Sequence, residues 1–120
     1  MTRIFTRMAA ATVIATGLLS ATAAQAYDRD VYIYNDGWDA IHSVYISHID
    51  DGSWGRDLLG RYMISAGEGF YVEPRNHQGY CRFDVKITYE TGEAVHLWGV
   101  NLCGGRQIVA DEWTVRVYNI

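Results

Sequence analysis

The two cysteines, Cys81 and Cys103, stand at the outer ends of two strand-like runs that face each other across a glycine-containing turn: CRFDVKITYE, TGE, AVHLWGVNLC. Taking Thr91-Gly92-Glu93 as the loop sets Glu90 opposite Ala94, and counting outward sets Cys81 opposite Cys103. The chain has no other cysteine, so the expectation is one disulfide stapling one β-hairpin. A redox or metal-binding pair would call for C-x-x-C spacing, which is absent. Closing a loop of ~23 residues is worth about 3 kcal/mol in the chain-entropy model. For a small domain that is a sizeable share of the net stability.

The first of these runs alternates cleanly. Cys81, Phe83, Val85, Ile87 and Tyr89 point one way, and Arg82, Asp84, Lys86, Thr88 and Glu90 the other, the pattern of a strand with one face on the core. Its partner is ambiguous. Setting Cys81 against Cys103 turns Val95, Leu97, Gly99 and Asn101 inward and leaves Trp98, Val100 and Leu102 outside. A two-residue Thr91-Gly92 turn reverses that. A bulge near Gly99 to Leu102 would reconcile the two demands and is expected there.

A disulfide needs an oxidising compartment, and the N-terminus supplies the route. Residues 1–26 carry Arg3 and Arg7, an apolar run from Met8 to Leu19, and a small-x-small end at Ala24-Gln25-Ala26. That is the layout of a cleaved secretory signal peptide. The run is too short for the ~20 residues that cross a bilayer, so no membrane span is expected after cleavage. Localisation is expected to be periplasmic or secreted. All 14 acidic residues lie beyond residue 26, whereas two of the 10 basic ones lie before it. Residues 27–120 therefore carry a net charge of about −6. Such a surface repels phosphate backbones and anionic lipid, so nucleic acid is an unsuitable partner.

Within 27–120 the run DVYIYN (Asp30 to Asn35) alternates and ends in the turn Asn35-Asp36-Gly37. Ala40 to Ile49 reads better as strand than as helix, with His42, Val44, Ile46 and His48 on one face. Trp54 to Gly60 leaves room for one helical turn. Arg61 to Ile64 and Phe70 to Glu73 read as short strands, Pro74 to Gly79 as a polar loop, and Trp113 to Ile120 as a closing strand. Six to eight short strands at about ten-residue spacing, with Gly/Asp/Asn turns, predict an all-β domain. The expected architecture is a small antiparallel β-sandwich or a closed barrel.

The order Ile41, Val44-Tyr45-Ile46-Ser47, Trp54-Gly55-x-Asp57-Leu58-Leu59-Gly60, Gly67, Cys81-x-Phe83-Asp84, Gly92 and Val100-Asn101-Leu102-Cys103 resembles a group of small exported bacterial β-proteins of unassigned activity. Its most specific parts are the WG-x-D-LLG segment and the cysteine pair. The resemblance implies a compact exported β-domain and supplies no catalytic residues.

Candidate chemistry is sparse. There is no G-x-S-x-G elbow and both cysteines are occupied, which disfavours nucleophilic hydrolysis. His42 and His48 would lie roughly 20 Å apart on one strand, and neither His77 nor His96 completes a zinc-type spacing. No metal cofactor is expected, although Asp36, Asp39, Asp50 and Asp51 are calcium candidates if loops at one end of a sandwich pool their carboxylates. Aspartate in turns is also an ordinary capping choice. Glu73, Arg75 and His77 offer the residue types of a small ribonuclease-like hydrolase on one loop. Nine tyrosines and four tryptophans are the most informative feature. Tyr32, Tyr34, Trp38, Tyr45 and Trp54 form a candidate recognition surface for a glycan or a protein, and the acidic surface suits a basic partner. A non-catalytic binding or structural module is the leading expectation, with the hydrolase and a calcium-binding sandwich as alternatives.

Overall fold

The computed structural model describes residues 30–74 and 77–119. The expected signal peptide (1–26) and Arg75 lie outside the described residues. Seven strands follow one another: β1 (Val31–Asn35), β2 (Ile41–His48), β3 (Gly69–Val72), β4 (Arg82–Tyr89), β5 (Ala94–Asn101), β6 (Arg106–Ala110) and β7 (Val115–Asn119). They form two sheets, ordered β3-β1-β6-β7 and β2-β4-β5. The sheets do not close into a barrel, and one apolar cluster lies between them. The fold is a β-sandwich. Every strand pair is antiparallel except β1 with β6.

Alternation builds the core. Val31 and Ile33 of β1 and Ile108 and Ala110 of β6 turn inward from one sheet, and Phe83, Val85 and Ile87 of β4 from the other, all fully buried. β6 is a strand the pattern hid: RQIVA has only two inward positions and follows directly on Gly104-Gly105. Conversely, no helical turn forms across 54–60, and Arg61 to Ile64 contributes only a single bridge, Ile64 to Ile41.

The hairpin is stapled as expected, with a Cys81–Cys103 disulfide. Its loop is shifted by one residue. Tyr89 N–H donates to Glu93 O at 2.8 Å and Gly92 N–H to Tyr89 O at 2.9 Å, so the three loop residues are Glu90, Thr91 and Gly92. Gly92 has φ +96°, the left-handed residue that a three-residue hairpin loop needs at its end. A second phase break lies in β2. The register with β4 shifts between Ile41 and Ser43, so His42 is the extra residue and is exposed. His42 therefore does not share the inward face with Val44 and Ile46.

Asn35, at the end of β1, is fully buried and uses every hydrogen-bonding position of its amide. Nδ2 donates to Asp39 O at 2.8 Å and to Ile64 O at 2.9 Å. Oδ1 accepts from Gly37 N at 2.9 Å and from the Tyr89 hydroxyl at 3.3 Å. Tyr89 belongs to the opposite sheet, so one side chain joins both sheets and two loops. Burial, followed by the charges of Glu112, Asp111, Asp36 and Asp39, pushes the Tyr89 phenol far above its ordinary range. It stays a neutral donor.

Asn35→Ala orphans the Gly37 N–H and the Tyr89 hydroxyl inside the protein and should cost about 3 kcal/mol in urea unfolding. Tyr89→Phe removes one long bond while Oδ1 keeps Gly37, and should cost about 1 kcal/mol or less. Equal penalties would show that the ring, not the amide, is the connector.

Candidate functional site

Two aromatic side chains from different segments meet on the outer face of the β2-β4-β5 sheet. One is Trp98. The β4-β5 register shifts between Phe83 and Val85, and Gly99, with φ +63°, is the bulged residue. Its N–H donates to Asp84 Oδ1 at 2.8 Å, and its carbonyl accepts from the Arg82 guanidinium at 2.7 Å. The extra residue changes the phase of β5. Val95 and Leu97 face the core before it, and Val100 and Leu102 after it. Trp98 remains outside, 65% exposed, and does not enter the core.

The other is Trp54, on the loop after β2. Ser47 Oγ lies 2.9 Å from both Ser53 O and Trp54 O and shares its one proton between them. Asp57 Oδ1 accepts from Val44 N at 2.9 Å and from Leu59 N at 3.0 Å, and Leu58 N donates to Val44 O at 2.8 Å. The loop thus satisfies the free edge of β2, and Leu59 anchors it in the core. The WG-x-D-LLG segment acquires a physical meaning: aspartate clips the sheet edge, leucine anchors, and tryptophan is carried back over the sheet.

There Trp54 lies 5.7 Å from Trp98 and 6.0 Å from His96, and His96 stacks parallel to Trp98 at 5.3 Å. Beside this cluster runs a groove of about 210 Å³ lined by Ser47, Asp51, Ser53, Trp54, Asp84 and Trp98. Tyr45 and Lys86, in register with His96 on the same sheet face, extend it with a cation–π contact at 5.6 Å. Ring faces beside carboxylate and hydroxyl oxygens suit a ligand with apolar C–H faces and polar edges.

The other sequence-derived aromatics lie elsewhere. Tyr32 and Tyr34 are on the outer face of the four-stranded sheet. Tyr32 packs on Tyr71 at 4.8 Å and over Gly69, where an added Cβ would run into its phenol. Trp38 is at one end of the sandwich, edge to face with Trp113 at 5.9 Å. Glu112 holds that end together by accepting from Trp38 N at 2.8 Å and Asp39 N at 2.9 Å. Gly37 leaves room for this contact, because an added Cβ would fall 2.5 Å from that carboxylate and displace it. The backbone N–H of Asp39 leads the contacts that hold the Glu112 carboxyl below its ordinary range. Asp111 is lowered likewise, by the N–H groups of Trp113 and Thr114.

The five aromatic candidates therefore occupy three places: Tyr32 and Tyr34 share one, Tyr45 and Trp54 another, and Trp38 stands apart from both. Sequence reasoning missed His96, Trp98 and Asp84. Residue type offered a signal for Trp98, but its side depended on the bulge. Glu73 and His77 do meet, Oε2 to Nε2 at 2.9 Å, while Arg75 lies outside the described residues. Arg56 and Asp57 line a groove with Glu73. The calcium candidates are spread out. Asp36 faces Arg116 at 3.4 Å, Asp51 caps Ser53 at 3.4 Å, and no three metal-ligating side chains group together among the described residues.

No family model matches the chain, and no curated protein matches it. Among solved structures it is similar to an NMR structure of a protein from Eubacterium rectale, at 12% identity and a TM-score of 0.50, over 75% of this chain and 85% of that one. That likeness concerns the fold.

The Glu112 contacts make stability pH-dependent with a definite sign. Because its folded value lies below the ordinary 4.5, the stabilisation is complete above that pH and is lost as pH falls through the folded value. The stability difference between wild type and Glu112→Gln should therefore be largest near neutrality and shrink below pH 4.5, read by thermal melts at stepped pH. A difference independent of pH would mean that the carboxylate charge plays no part.

Proposed function

We propose that the protein is an exported, non-catalytic binding module whose ligand is a saccharide, held in the cleft formed by Trp54, His96 and Trp98. One observation carries this reading. Two tryptophans and an imidazole from two segments, β5 and the loop after β2, converge outside the core, beside a groove edged by Asp51, Asp84, Ser47 and Ser53. The core does not need Trp98, and a large apolar ring left 65% exposed gains stability only when something covers it. Sugars present C–H faces that stack on rings and hydroxyls that donate to carboxylates. The acidic rim and the chain's net charge favour neutral or amino sugars over anionic ones.

Export is supported by the disulfide, which persists in oxidising compartments, and by the signal-like N-terminus. A periplasmic or extracellular site follows, in keeping with the resemblance to small exported bacterial β-proteins. Among the described residues no helix is long and apolar enough to cross a membrane. Calorimetric titration of the oxidised protein with neutral oligosaccharides should detect binding that Trp98→Ala and Trp54→Ala each weaken about tenfold or more. Trp38→Ala should leave it unchanged. Binding indifferent to Trp54 and Trp98, or none across a panel of neutral and amino oligosaccharides, would overturn the reading.

A second reading rests on the Glu73–His77 contact at 2.9 Å, a carboxylate–imidazole pair of the kind used in general acid–base catalysis, with Arg56 on the neighbouring groove as anion clamp. Cleavage of a fluorogenic RNA oligonucleotide, abolished by His77→Ala, would establish it. Absence of cleavage above buffer would remove it.

A further inference from the structure

At the opposite end of β2 from the Trp54 cleft, the two loops that carry Trp38 and Trp113 present the most exposed large rings among the described residues, 81% and 71%. They are also held in place. Trp38 N is bound by the Glu112 carboxylate and Trp113 N by Asp111 Oδ1 at 2.8 Å, so the backbones beneath both rings are fixed. Two exposed tryptophans set edge to face at 5.9 Å on fixed loops offer one ring face and one ring edge with little ordering cost.

The same two loops concentrate negative charge: Asp36 and Asp39 on one, Asp111 and Glu112 on the other. The buried Tyr89 phenol responds to all four, which places them around one spot. Arg116 draws on two of them, Asp36 at 3.4 Å and Asp111 at 3.8 Å, and Glu112 is committed to backbone N–H groups. Asp39 is left over: among the described residues its carboxylate takes no hydrogen bond and no ion pair. The four carboxylates do not group into a metal-ligand set, so the field suits an organic cation rather than a metal ion.

We propose that Trp38, Trp113 and Asp39 form a docking site for an arginine side chain presented by a partner protein. A guanidinium is planar, stacks on an indole face, and directs its N–H fork at a carboxylate in the same plane. An ammonium is more strongly hydrated and lacks the fork, so lysine fits less well. The net charge of about −6 over residues 27–120 attracts a basic partner, and the carboxylates of these two loops draw it to this end. The site is independent of the saccharide cleft, about 25 Å away along the eight residues of β2.

The test follows the indole N–H signals by NMR in the oxidised protein during titration with the peptide acetyl-Gly-Arg-Gly-amide. The control peptide carries citrulline, the neutral isostere of arginine. The expected result is a saturable shift of the Trp38 and Trp113 signals, about threefold or more weaker in affinity for citrulline and for the Asp39→Asn protein. Trp113→Ala should abolish the Trp38 shift, and since both rings are exposed, that variant folds. The Trp54 and Trp98 signals should stay still, which separates this site from the saccharide cleft. Equal responses to arginine and citrulline, or no movement of Trp38 and Trp113 up to about 20 mM peptide, would overturn the proposal.

Discussion

The amide of Asn35 is the interaction on which the two-sheet arrangement depends. An uncompensated amide in an apolar interior costs several kcal/mol relative to water, so each of its four bonds constrains a neighbour. Two fix the carbonyls of Asp39 and Ile64, one turns the Gly37 N–H inward, and one reaches Tyr89 across the sandwich. Apolar contacts between sheets are tolerant of sliding, because they have no direction. The amide is not. It ties the position of β1 against β4, and with it the loop from which Trp38 projects. The disulfide works at the far end of β4, restricting the unfolded chain, so each end of that strand has its own anchor.

Much of the architecture was legible because period two survives in β1 and β4, where Val31, Ile33, Phe83, Val85 and Ile87 alternate without interruption. It failed where one residue was inserted. His42 in β2 and Gly99 in β5 each shift the phase, and a period-two reading beyond such a point assigns every side chain to the wrong face. The ambiguity over Leu97 against Leu102 was a true signal of the second bulge: both are core residues, and only an inserted residue between them allows it. β6 stayed hidden for a different reason. RQIVA offers two inward positions, and its parallel pairing with β1 depends on a crossover that no local pattern announces.

The cleft was less legible than the fold. Trp54 stood out by residue type, but its partners depended on a tertiary event, the clipping of residues 53–59 along the edge of β2 by Ser47, Val44 and Asp57. Nothing in the spacing from Trp54 to Trp98 encodes their 5.7 Å approach. Asp84 illustrates the limit from the other side. As an outward carboxylate on a strand it reads as solvated surface, whereas it holds the Gly99 N–H and so determines the direction of Trp98.

The packed aromatic positions include tyrosines but no tryptophan. Tyr89 packs in the core, and Tyr32 lies over Gly69, replacing the side chain that edge strand β3 lacks there, a use of aromatic area that stabilises a sheet. Tyrosine serves these places because its ring packs while its hydroxyl reaches a neighbour or water. The tryptophans do neither. Trp38, Trp98 and Trp113 are well exposed, Trp54 partly so, and none of them belongs to the core cluster. A core supplied by Ile and Val has no place for four indoles, and leaving them in water gains nothing for the folded chain. Their separation into one pair against a polar groove and another among carboxylates is what underlies the proposal of ligands of different chemistry at the two ends of β2.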